Sequence, residues 1–188
     1  MTIDRTTFRP DFFDQVDTIS MHDELALELG AIAVNESLVY AYRDAVKLAG
    51  HSCLAISGAY RLTQIALKKL YADDIPQRGH IKIVFRGAVD HKVNGPVSQI
   101  ITLITGAAGE NGFHGFADGR FKRQGLMHFD KDAALPSGAV VSVTFTRVDS
   151  EQSVSITYYN HMLPENLDLQ QRVRLVLVGD FAGMFCVE

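Results

Sequence analysis

From Ser52 to Tyr71 the apolar positions Ile56, Ala59, Tyr60, Ile65, Ala66, Leu67 and Leu70 cover more than one helical stripe. That pattern predicts a long central helix (about 52–71) buried over much of its circumference. Ser57, Gly58 and Ala59 leave room on it for a second backbone, and Asp73, Asp74 and Pro76 end it. The run "GPVSQIITLITG" predicts a second buried helix over 95–106, with Pro96 tolerated in the first turn and Gly106 just past the end. "SMHDELALELG" predicts a short early helix, in which Ser20 and Asp23 have capping-box spacing and Gly30 supplies the stop. "ENLDLQQRVRLVLVG" predicts a final amphipathic helix.

Alternation of apolar and polar residues predicts strands over 37–44, 80–87, 125–130, 139–148 and 152–160, the last two joined as a hairpin around Asp149 and Ser150. A glycine-rich loop, "GAAGENGFHGFADG", separates the second buried helix from the later strands. Helices first and mostly antiparallel strands afterwards describe an α+β domain rather than alternating βαβ units. The chain is read as a single domain, 1–188, with an arm at 1–18, a core at 20–160 and a C-terminal helix and tail at 161–188. Phe8, Phe12 and Phe13 of the arm, and the apolar end "VLVGDFAGMFCVE", suit burial against the chain's own body or a second chain.

Composition narrows the function classes. The chain has 188 residues, 47% hydrophobic and 21% charged, with a net charge of -4, so it lacks the concentrated basic face that a general grip on nucleic acid requires. The basic run "GRFKRQ" at 119–124 reads as a solvated loop, in which Arg120 and Arg123 could hold one anion. No stretch approaches the roughly 18 apolar residues of a membrane-crossing helix. The first residues lack an apolar signal core, and two distant cysteines make no disulfide framework. A cytoplasmic location with free thiols is expected, without a nucleic-acid or membrane partner.

The most specific chemistry lies in "GHSC" at 50–53, where the long helix begins. The first N–H groups of a helix have no intrahelical partners and carry the positive end of its dipole, so a thiolate there is favoured. Ser52 is expected as N-cap, placing Cys53 at the first helical position, while Gly50 lets His51 turn toward the same end. Thiolate and imidazole together suit zinc or another borderline-soft divalent ion. The bland alternative is a small buried cysteine beside an ordinary histidine. His22, His91 and His114 lie in helix-start or loop positions from which a further ligand could come. His80, His128 and His161 lie in or beside strand patterns and read as structural or surface residues.

Several stretches, in order, resemble the FmdE family, named after one polypeptide of formylmethanofuran dehydrogenase, in its bacterial-type stand-alone form. They are "HDELALELGA", "YAYRDAVKLAGHSC", "AISGAYRLTQIALKKLY", "PQRGHIKIVF", "VSQIITLITGAAGENGFHGF" and "GRFKRQGLMHFD", spread over roughly residues 20–160. The resemblance implies an FmdE-like α+β core with a metal-binding cleft, the histidine and cysteine of the GHxC motif as ligands, and a dimer with the cleft near its interface. It supports His51 and Cys53 as ligands. Many members place Cys-Pro-Gly at the helix start and further cysteines near "NGPVSQ" and after Thr-Gly. Here those positions hold Leu54 and Ala55, Gly95 to Val97, and Ala107 and Ala108, and the only other cysteine is Cys186. A metal shell would then be poor in sulfur, with His22 and His91, or water, completing it.

Three functions follow as expectations. The first is a small metal-binding protein, holding zinc or alternatively nickel, iron or copper, redox-linked or catalytic, with haem as another cofactor that thiolate or imidazole could hold. The second is a metal-free thiol enzyme, with Cys53 as nucleophile and His51 or His22 as base on a small-molecule ligand. The third is a non-catalytic, homodimeric accessory protein. The loop "TGAAGENGFHG" could cradle an anion, but it lacks the Lys-Ser/Thr that ends a P-loop.

Overall fold

The computed structural model describes residues 8–179 and 183–188; residues 1–7 of the expected arm and 180–182 of the tail lie outside them. The chain is α+β. Five strands form one sheet in the order β4 (Met127–Asp130), β3 (Ile81–Arg86), β5 (Val141–Arg147), β6 (Ser153–Tyr158), β7 (Phe185–Val187), and β1 (Ile19–Met21) pairs with β2 (Leu38–Tyr40) in a separate ribbon. The helices are α1 (Glu24–Glu28), α2 (Tyr42–Ala49), α3 (Leu54–Tyr71), α4 (Asn94–Thr105) and α5 (Leu169–Val178). Among the described residues no helix is long and apolar enough to cross a membrane.

Period-two alternation gives the sheet a dry face and a polar one. Ile81, Ile83 and Phe85 of β3 are buried while Lys82, Val84 and Arg86 face outward. The register continues that dry face through Val143 and Phe145 of β5 and then Ile156 and Val154 of β6. On the opposite face Ser142 bonds Thr157 at 2.9 Å and Thr144 bonds Ser155 at 2.8 Å, each a directly opposed cross-strand pair. Helix α3 packs on α4, α5 and β6. Its Gly58 is a close-approach point, because a Cβ there would lie 2.5 Å from the Tyr158 ring.

Four differences from the expected elements have physical causes. The expected strand at 37–44 is β2 followed at once by α2, because Tyr42, Ala45 and Val46 take helical spacing and bury one stripe. Ser20 belongs to β1, so the cap of α1 is Asp23 alone, which accepts from the N–H groups of Leu25 and Ala26. Strands β3 and β4 are parallel. They enclose α4 and the glycine-rich loop, a crossover of the length that parallel pairing needs. The apolar tail supplies β7, which pairs antiparallel with β6 and so finishes the chain's own sheet. In the arm, Phe12 and Phe13 are buried, and Phe13 meets Tyr42 edge-on at 5.0 Å.

Candidate functional site

The "GHSC" segment is shaped by the junction of two helices. Gly50 ends α2 in the left-handed region, φ 75°, a conformation that glycine adopts without a Cβ penalty. Cys53 has extended backbone, φ -145° and ψ 177°, and is itself the N-cap of α3. The expected cap, Ser52, is engaged elsewhere: its Oγ is 2.8 Å from the hydroxyl of Tyr42, a fully buried side chain. The carbonyl of Cys53 accepts from the Ser57 N–H and the Ser57 hydroxyl. Its side chain makes no cap hydrogen bond, so the sulfur sits half-buried beside a helix start whose first N–H groups have no intrahelical acceptor.

His51 is exposed, with Nδ1 3.0 Å from the carbonyl of Ala49. A donating Nδ1–H there fixes the tautomer and leaves Nε2 as a free lone pair, the arrangement common among metal-bound imidazoles. Behind Cys53 lie two buried phenols. Burial pushes Tyr42 up to about 12, with the Ser52 hydrogen bond opposing and the charge of Cys53 reinforcing. Burial also pushes Tyr158 up, opposed by Arg172 and reinforced by Cys53 and Tyr42. Both phenols are therefore neutral hydrogen-bond donors at ordinary pH.

Tyr158 is 0% exposed and its hydroxyl has no hydrogen-bond partner among the described residues; the same holds for Gln170 Oε1 and Arg172 Nε on α5. Gln170 also reaches the site, its Nε2 lying 3.5 Å from the Ser52 carbonyl. These groups were not singled out from the sequence, where Tyr158 reads as a strand residue and Gln170 as a polar helix position. Tyr158→Phe is expected to leave stability unchanged or to raise it by up to about 1 kcal/mol, since it deletes a buried hydroxyl without a partner. The same change is expected to alter the rate at which Cys53 is alkylated. Urea denaturation and iodoacetamide kinetics check both, and a loss above about 1.5 kcal/mol would show that the hydroxyl is satisfied.

The other predicted ligands are dispersed. His22 follows β1, with its backbone held by Pro76 and Arg78, and lines a cavity of about 710 Å³ with Tyr71 and Arg147. Tyr71 is the last residue of α3, so that cavity lies on the order of 25 Å from Cys53, the length of the helix. His91 is exposed ahead of α4, its ring packed near Gly87 at the end of β3. His114 is exposed in the glycine-rich loop. Among the described residues no three His, Cys, Asp or Glu side chains gather closely enough to hold a metal ion. His22 and His91 therefore do not gather with His51 and Cys53 into one ligand cluster among the described residues. No family model, curated protein or solved structure matches this chain.

Proposed function

We propose that the chain is a small FmdE-like metal-binding protein in which His51, through Nε2, and Cys53, as thiolate, hold a transition ion, zinc first, at the N-terminal end of α3. The observation that supports it best is the anchoring of His51 Nδ1 on the Ala49 carbonyl, which presents Nε2 two residues from a thiol at a helix start. Two protein donors leave the remaining positions of the shell to solvent or to the same pair in a second copy, so a homodimer belongs to this reading. A bound ion would polarise a carbonyl or activate water. The chain's own contribution would be to orient the imidazole through the Ala49 carbonyl and to hold the thiol at the start of α3.

Purified wild-type protein is expected to carry metal in near-stoichiometric amount by elemental analysis. Cys53→Ala and His51→Ala are each expected to lose it by tenfold or more, the scale of a broken metal site. Equal, negligible metal in all three proteins would overturn the reading. Light scattering at matched concentration tests the dimer, and absorbance on adding haem tests haem as the group held.

A second reading keeps the same residues without a metal. It is favoured by the position of the free, partly exposed thiol at the start of α3, where its side chain makes no cap hydrogen bond and can meet a reagent. Rapid alkylation of Cys53 in chelator-treated protein, with metal absent from untreated protein, would select this reading over the first.

A further inference from the structure

At a different place, where the end of α4 meets the glycine-rich loop, a buried carboxylate and a buried guanidinium from distant parts of the chain meet a second guanidinium, that of Arg78, which is partly exposed. Asp23 is 2% exposed and Arg123 6%. Asp23 Oδ1 accepts from Arg123 Nη2 at 2.7 Å, and its Oδ2 accepts from Arg78 Nη1 at 2.9 Å. Arg78 also donates from Nε to the Ile104 carbonyl and from Nη2 to the Leu103 carbonyl, in the last turn of α4. Arg123 does not: its Nε and Nη1 are buried and have no acceptor among the described residues. The sequence reading expected a solvated loop here. Arg120 and Lys122 are exposed, Arg120 beside Asp118 and Glu28, while Arg123 turns inward and is buried.

The charges do not balance. Among the described residues, two guanidinium groups, which stay protonated in proteins, share a single carboxylate. The carbonyl end of α4 offsets about half a charge, and Tyr40, which Arg78 overlies at 5.8 Å, is held neutral because burial pushes its hydroxyl up. A surplus of between half and one positive charge, centred on the buried Arg123 with Arg78 at its partly exposed edge, is costly unless an anion meets it.

Both arginines border one cavity of about 510 Å³, within the range of small-molecule sites. Its wall also contains Gln99 on α4 and the apolar side chains of Phe113, Met127 and Phe129. A polar end with unmatched cationic charge beside an apolar wall selects for an amphipathic anion. The surplus of at most one charge matches a carboxylate better than a phosphate dianion.

We propose that this cavity binds a small organic monocarboxylate, its head group offsetting the surplus charge of Arg78 and Arg123 and its apolar body lying against Phe113, Met127 and Phe129. The site uses neither His51 nor Cys53 and stands or falls apart from the metal reading. The test is titration of the isotopically labelled full chain with acetate, benzoate and octanoate, with benzamide as the uncharged counterpart and inorganic phosphate as the competing anion, each to about 20 mM. Backbone amide shifts in residues 98–113 report binding.

Benzoate or octanoate is expected to give saturating shifts there, while acetate binds more weakly and benzamide gives none. Gln99 is exposed on a regular helix, so its variants keep the fold. Gln99→Glu is expected to weaken the carboxylate roughly three- to tenfold and Gln99→Lys to strengthen it similarly, the size of one charge interaction at an intermediate dielectric. No saturating shift for either larger carboxylate would overturn the proposal. So would equal binding of benzamide, tighter binding of phosphate, or affinities indifferent to the charge at position 99.

Discussion

Asp23→Ala is expected to lower the unfolding free energy by about 3–5 kcal/mol, the cost of removing one partner from a buried ion pair. The lost carboxylate serves three clients at once. It caps α1 through the N–H groups of Leu25 and Ala26, a contribution of about 1 kcal/mol. It also accepts from the partly exposed Arg78 and the buried Arg123, which would be left without a carboxylate partner among the described residues. At about 2–4 °C per kcal/mol for a chain of this size, the melting temperature should fall by roughly 10 °C. Urea denaturation checks the figure, and a loss below about 1 kcal/mol would show that the cluster relaxes into solvent.

The pH dependence has a definite sign. Burial alone would push the Asp23 carboxyl up, but the Arg78 hydrogen bond, the charge of Arg123 and the Ala26 N–H together hold it below its ordinary value of 3.8. A carboxyl depressed in the folded state contributes stability that is complete above its unfolded value and is lost as the pH falls through the folded one. The stability gap between wild type and Asp23→Asn should therefore be full at pH 6 and shrink below about pH 4. A gap that stays constant to pH 2 would contradict the pairing.

Gly79→Ala is expected to cost at least about 3 kcal/mol through two causes. Gly79 has φ +82°, where an alanine pays roughly 1–2 kcal/mol. An ideal Cβ there would also fall within the Arg123 guanidinium, which must leave its place beside Asp23. The glycine itself is held by its N–H on the Thr105 carbonyl at 2.7 Å, so the backbone has little freedom to retreat. Because both changes break the Asp23–Arg123 contact, the double variant Asp23→Ala/Gly79→Ala should cost less than the sum of the two, by about 1 kcal/mol or more. Strict additivity in denaturation would mean that the alanine acts on something other than Arg123.

The candidate site divides along the same line between local and distant information. "GHSC" could be picked out because helix-end chemistry is local: the long helix announces itself by its apolar stripe, and the residues at its start follow from position. Its cap could not, since residue preference points to Ser52 and would place Cys53 one position inside the helix. The choice falls to Cys53 because Tyr42, ten residues earlier, takes the Ser52 hydroxyl. Tyr158 and Gln170 come to the site only through the packing of β6 and α5 on α3.

By itself the sequence was enough for α3, α4, α5 and the strands β3 to β6, because burial of a regular element on one face writes its period into neighbouring residues. It was also enough for the α+β class and for His51 and Cys53 as the most chemically specific pair. The short elements α2 and β7 were not legible, since eight and three residues carry too little periodicity to compete with overlapping apolar runs. The parallel pairing of β3 with β4 and the burial of Arg123 were decided by the tertiary structure alone. Arg123 lies in a run of charged residues that any local reading places in solvent. Its partner Asp23 is 100 residues away, and the electrostatic match that makes burial tolerable exists only once the chain has closed on itself.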